Sequence, residues 1–137
     1  MSKGKTAAID FDGVIHFYGN GWQGGQIYDK VVPGAKEGIQ SLKDAGFRIM
    51  IYTTRTNPMY RKKGEPEQYP QLIEYLDKNG IVYDQVYVGS GKPMADLYLD
   101  DRGINFNGDW NKAVDDILKF KVWNRPDAKS SAELNSK

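Results

Sequence analysis

A chain of 137 residues fits one domain of ordinary size, and its 19 Lys and Arg against 18 Asp and Glu leave a formal net charge of +1. That balance excludes a whole-molecule field able to gather nucleic acid or an anionic membrane, so any basic surface is local. With no cysteine and a single histidine, disulfides, thiolate metal sites and a cysteine nucleophile are excluded, and metal ligands must be carboxylates or His16.

The N-terminal MSKGKTAAID shows no signal-peptide core, and no segment has transmembrane length, so a soluble cytoplasmic protein is expected. Thr6 to Phe11 is short, apolar and ends in acids, which predicts a buried strand of a parallel sheet. After a Gly-rich aromatic stretch, Pro33-Gly34-Ala35 opens a helical pattern through Ile39, Leu42 and Ala45, stopped by Gly46. FRIMIYTT, apolar and β-branched, predicts the second strand. A polar loop from Arg55 to about Pro66 leads to a helix with Leu72, Ile73 and Leu76 on one face, closed by Asn79-Gly80. DQVYVG and ADLYLDD predict two further strands, and DWNKAVDDILKF a last helix with Asp109 as N-cap. The polar RPDAKSSAELNSK predicts a frayed tail. The expected organisation is one α/β domain over residues 1–123, a flap at about 14–30, and a tail over 124–137.

Strands alternating with helices imply a mainly parallel, doubly wound, Rossmann-like sheet with helices on both faces. Ligands of such sheets bind at the carboxyl ends of the strands, where Asp10, Asp12 and the Asp100-Asp101 pair all fall. In a strand, residues i and i+2 point to one side, so Asp10 and Asp12 emerge together unless the chain turns between them. Close carboxylates repel, and a bound cation relieves the repulsion. Magnesium suits such a set, because it takes a couple of carboxylates and completes its shell with waters and phosphate. Strand-end acids also cap turns and helices, which is the structural alternative for either pair taken singly.

DFDGV after a short strand resembles the first motif of the haloacid dehalogenase superfamily, most of whose members are phosphohydrolases. The remaining motifs follow in order: Thr53 in IMIYTTR, Lys92 in GSGKP, and Asp100-Asp101 in LYLDD. The resemblance covers Thr6 to about Trp110. It implies that Asp10 attacks phosphorus to form an aspartyl-phosphate, and that Asp12 first protonates the leaving oxygen and then deprotonates water. It also implies Mg2+ held by Asp10, Asp100 and the Asp12 main-chain carbonyl, with Asp101 acting through water, and Thr53 and Lys92 on the phosphate oxygens. TTR resembles the family's Thr-x-Arg ending, which assigns the catalytic hydroxyl to Thr53 and leaves Thr54 to the substrate. Only seven residues separate Lys92 from Asp100, too few for a helix, but an extended path of about 25 Å can descend and re-ascend a short sheet.

Neither interval used for cap insertion is long enough to hold a cap domain. A capless site is expected, covered by a flap hairpin turning at Asn20-Gly21. His16, Tyr18 and Trp22 are expected at the leaving group, with aromatic packing within the domain or on a neighbouring subunit as the alternative. Arg55 is expected to reach a phosphate or carboxylate bidentately. Arg61-Lys62-Lys63 could meet a second phosphate or a nucleic-acid end, although such triplets are more commonly solvated loops. Arg102 is placed to pair with the preceding acids.

A receiver-like phosphorylation switch is disfavoured by the order of the acids, since receivers place the adjacent pair first. A catalytically silent binding module and a phosphotransferase remain alternatives. The expected partner is a small phosphorylated substrate such as a nucleotide or sugar phosphate. Polynucleotide ends or phosphoproteins are the alternative substrates of an uncapped site, and homo-oligomers could cap one another. No membrane partner is expected.

Overall fold

The computed structural model describes residues 4–125 and 130. The chain divides into two compact units, Met1–Asp100 and Asp101–Lys137. Among the described residues they carry an α/β fold with a four-stranded, all-parallel sheet and three helices.

The first unit contains the sheet. Strand β1 (Thr6–Asp10) is followed by α1 (Ala35–Asp44), β2 (Arg48–Tyr52), two single-turn 3-10 helices (Thr54–Thr56 and Pro58–Tyr60), α2 (Gln68–Lys78), β3 (Gln85–Val86) and β4 (Leu97–Leu99). The strand order is β3-β2-β1-β4. Both crossover helices end where glycine permits a left-handed backbone, at Gly46 (φ 97) and Gly80 (φ 68), as expected from a stop signal that needs no Cβ.

The core lies on one face of the sheet. Ala7 and Ile9 of β1 and Ile49 and Ile51 of β2 pack with Ile39 of α1 and with Leu72 and Leu76 of α2, and Phe11 and Ile15 extend the cluster beneath the flap. Period-two alternation then assigns Ala8 and Asp10 to the opposite face. Because Ala8 pairs with Tyr98 and Asp10 with Tyr52, both tyrosines share that face.

Three expected elements come out shorter or shifted. β3 spans two residues rather than six, because it is an edge strand and the chain beyond it is drawn into the loop. Thr56 Oγ1 donates to the Tyr87 carbonyl (2.7 Å) and Asn57 Nδ2 to that of Ser90 (3.2 Å). Among the described residues β4 pairs only with β1, and its three residues are exposed. The flap contains no strand: Phe17 N donates to Lys30 O (2.9 Å) and Val32 N to Ile15 O (2.7 Å), with a bridge between His16 and Val31. Its turn closes from Gly21 N to Tyr18 O (3.2 Å), which makes Gly19-Asn20 the central pair instead of Asn20-Gly21. Side chains from the returning arm set this, since Asp29 Oδ2 accepts from Gly19 N (2.9 Å) and Tyr28 Oη from Asn20 N (2.9 Å).

The second unit carries α3 (Trp110–Lys119), with Asp109 as its N-cap, accepting from Lys112 N (3.1 Å). Of the expected tail, Asn124, Arg125 and Ser130 are described and the rest lies outside the described residues. Among the described residues no helix is long and apolar enough to cross a membrane.

Candidate active site

Parallel register brings the motif residues to one edge. Asp10 pairs with Tyr52, the residue before Thr53, and Ile9 pairs with Leu99, the residue before Asp100. Asp10, Thr53 and Asp100 therefore stand at the carboxyl ends of β1, β2 and β4, three adjacent strands. The order β3-β2-β1-β4 places successive strands to one side of β1 and the last to the other. The reversal between β1 and β4 is the kind of switch point at which open α/β sheets bind ligands.

Asp10 Oδ1 accepts from Phe11 N (2.8 Å), and Asp100 Oδ2 from Tyr52 Oη at a long 3.4 Å. Thr53 caps the first 3-10 turn, its Oγ1 accepting from Arg55 N (3.2 Å). Among the described residues nothing takes the hydroxyl proton, which is left to donate, as a phosphate-binding threonine requires. Lys92 lies on the exposed connection between β3 and β4, its Nζ 4.5 Å from the centre of the Tyr98 ring. Tyr98 in turn meets Tyr52 edge to face at 6.2 Å, so the ammonium lies on the Asp10 face of the sheet. The connection does descend and re-ascend: Tyr87 N bonds to Ile51 O near the carboxyl ends, and Asp96 N to Thr6 O at the opposite edge.

Asp12 is held differently from Asp10. The strand ends at Asp10, and the Phe11 carbonyl accepts from Val14, Ile15 and His16 N (3.3, 2.9 and 3.0 Å), winding a tight turn that brings His16 back beside Asp12. The alternation that would carry both acids to one side therefore ceases between them. Arg55 clamps the Asp12 carboxylate as a fork, Nε to Oδ2 at 2.7 Å and Nη2 to Oδ1 at 3.0 Å. Its other donors go to Gly25 O (3.2 Å), Gln68 Oε1 (2.9 Å) and Gln26 O (3.5 Å). All five guanidinium donors are thus engaged by the protein, on a residue only 6% exposed. The carboxylate that Arg55 grips bidentately is Asp12, in place of a carboxylate or phosphate of the substrate.

His16 is fully buried, stacked on Phe11 (5.4 Å) and flanked by Tyr18, Tyr28 and Tyr75. Its Nε2 accepts from Asp29 N (2.9 Å), so the ring proton sits on Nδ1 and is donated to Asp12 Oδ1 (2.8 Å). His16 consequently supports Asp12 from behind, and its buried ring does not face a leaving group. Tyr18 is half-buried, with the left-handed φ of 60 that the flap imposes, and its ring lies 5.8 Å from the Arg55 guanidinium. Trp22 stays at the surface, 4.9 Å over the same guanidinium, its Nε1 donating to Glu65 Oε2 (3.0 Å). Thr54 is exposed beside it.

Asp29 organises this flap. The Gly19 backbone N–H draws its carboxyl below the ordinary range against a smaller opposing effect of burial, aided by the N–H and the charge of Lys30. Burial, with the charges of Asp29 and Asp12 behind it, pushes the Tyr75 phenol up to about 12, and Tyr75 Oη donates to the Asp29 carbonyl (2.9 Å). Asp29, Tyr75 and Gln68 belong to the site's support, yet nothing local marks them, since each acts through a fold-dependent contact. In the second unit, Arg102 Nε lies 4.0 Å from Asp101 Oδ2, the pairing expected of it.

Among the described residues no group of three or more His, Asp or Glu gathers as a metal cage. The donor set at the sheet edge is two carboxylates, Asp10 and Asp100, on neighbouring strands. That set fits magnesium, which commonly takes one or two carboxylates and keeps water and phosphate for the rest of its shell. Comparison of the chain with protein-family models, curated proteins and solved structures returned no match. The fold and the edge-clustered acids define an α/β protein with a candidate ligand site at the carboxyl end of a parallel sheet.

Proposed function

We propose that this protein is a magnesium-dependent phosphomonoester hydrolase of the haloacid dehalogenase superfamily, small and capless, with a doubly wound sheet. The observation that carries the reading is the convergence of Asp10, Thr53 and Asp100 at the ends of three adjacent parallel strands, with Lys92 on the Asp10 face. In this reading, an Asp10 carboxylate oxygen attacks phosphorus, the P–O bond to the leaving group breaks, and the departing oxygen takes a proton from Asp12. Water then attacks the aspartyl-phosphate, Asp12 accepts its proton, and phosphate leaves with Asp10 restored. Asp12 Oδ2 is the atom suited to carry that proton, because among the described residues it accepts one hydrogen bond while Oδ1 accepts two. Thr53 and Lys92 offset the charge on the phosphoryl oxygens. Magnesium, held by Asp10, Asp100 and the Asp12 main-chain carbonyl, would neutralise phosphate charge.

A phosphate-release screen over nucleotides, sugar phosphates and phosphorylated oligonucleotides, run with Mg2+ and with chelator, tests the proposal beside Asp10→Asn. The expected result is release that requires both the metal and Asp10. Release persisting in Asp10→Asn or in chelator refutes the mechanism, and silence across the whole panel favours a phosphate-binding module.

A further inference from the structure

Beside Arg55 opens a cavity of about 400 Å3, within the roughly 300–1000 Å3 of small-molecule sites. Trp22 of the flap and Thr54, Met59, Tyr60, Arg61 and Pro66 of the loop after β2 contribute to its wall. Met59 and Tyr60 are 74% and 61% exposed, so the core does not account for them. The Trp22 indole is fixed by its bond to Glu65 and by the guanidinium beneath it, which makes it a preorganised flat surface. Two lining residues tie the cavity to the site: Thr54 follows Thr53, and Arg55 grips Asp12, the acid expected to protonate the leaving oxygen.

We propose, resting on the phosphatase reading above, that this cavity receives the base of a nucleotide whose phosphate lies at Asp10. A sugar alone calls for an array of polar partners, whereas Trp22, Met59, Tyr60 and Pro66 offer flat and apolar surface suited to a planar ring. Stacking on an aromatic side chain tolerates any base.

The test measures kcat/KM for the 5′- and 3′-monophosphates of adenosine, guanosine, cytidine and uridine against glycerol phosphate, in wild type, Trp22→Ala, Trp22→Phe and Tyr60→Ala. Trp22→Ala is expected to lower the nucleotide values by about 5- to 150-fold more than the glycerol phosphate value, the range of one lost base stack. Trp22→Phe should recover most of that loss. Tyr60→Ala, an exposed position, should show the same selectivity whether or not Trp22→Ala folds. Equal losses on nucleotides and glycerol phosphate overturn the assignment. Calorimetry of Asp10→Asn with adenosine 5′-monophosphate separates the two claims. Binding there without turnover by wild type keeps the cavity assignment and sinks the hydrolase. Asp10-dependent turnover confined to glycerol and sugar phosphates, with no nucleotide bound, does the reverse.

Discussion

Replacing Arg55 perturbs the most heavily bonded side chain of the site. Arg55→Ala removes two charge-assisted bonds to Asp12 and strands the Gln26 carbonyl and Gln68 Oε1, while the Gly25 carbonyl keeps its bonds from Gln68 and Gln71, on a residue 6% exposed. Breaking a buried pair by deleting one partner costs about 3–5 kcal/mol, a large share of the roughly 5–15 kcal/mol that holds a domain together. Arg55→Lys keeps the charge but not the fork, and should lose about 1.5–3 kcal/mol, one charged hydrogen bond. Urea denaturation of wild type, Arg55→Ala, Asp12→Asn and the double variant measures the coupling at constant m value. The pair should be coupled by more than about 1 kcal/mol, with the double variant less unstable than the sum of the singles. Additivity within about 0.5 kcal/mol would show that the fork does not anchor Asp12, and with it the positioning of the proposed acid fails.

Asp84 accepts from Ile49 N (2.7 Å) and from Lys43 Nζ (2.7 and 2.9 Å); burial pushes its carboxyl up, but the Ile49 N–H, Lys43 and Arg48 outweigh that and hold it below its ordinary 3.8. A depressed carboxyl contributes stability above its unfolded value and loses it as pH falls through the folded one, so the deficit of Asp84→Ala, about 1.5 kcal/mol, should hold at pH 5–7 and shrink below about pH 4 in urea melts. Tyr75 should titrate with a midpoint at about 12 in the ultraviolet difference between wild type and Tyr75→Phe. The stability from its raised value is present below the ordinary 10 and is lost as pH rises through about 12; a midpoint near 10 contradicts its packing. Gly25→Ala should cost about 1–3 kcal/mol by thermal melt, because φ there is +85 and a Cβ would stand 2.7 Å from Gln68 Nε2.

The helices and the two central strands were legible because each has its own periodicity and stop signal, as Pro33-Gly34 and Gly46 bracket α1. The edge strands were less so. DQVYVG carries the composition of a six-residue strand, but strand length depends on a neighbour to pair with, and after the Tyr87 N–H the next carbonyls, of Tyr87 and Ser90, are taken by the side chains of Thr56 and Asn57. The flap turn lies one residue before Asn20-Gly21 for the same reason: Asn-Gly is a local preference, while Asp29 and Tyr28 act from ten and eight residues away. His16 and Arg55 stand out by type, yet type alone does not separate a side chain that meets substrate from one that grips Asp12.

What the sequence determined by itself was the set and order of chemical groups: Asp10 and Asp12, then Thr53, Lys92 and the acids at 100 and 101, with the acids and Thr53 at the ends of apolar runs. Spacing along the chain carries that information, because a short apolar run followed by acids can bury only its apolar part. The tertiary structure alone decided their company. Parallel register set Asp10 beside Asp100, residues 90 positions apart, and the tight turn at Phe11 handed Asp12 to Arg55 and His16. Those pairings depend on which strands and loops become neighbours when the core closes, a choice made by packing across the whole unit and written in no single segment.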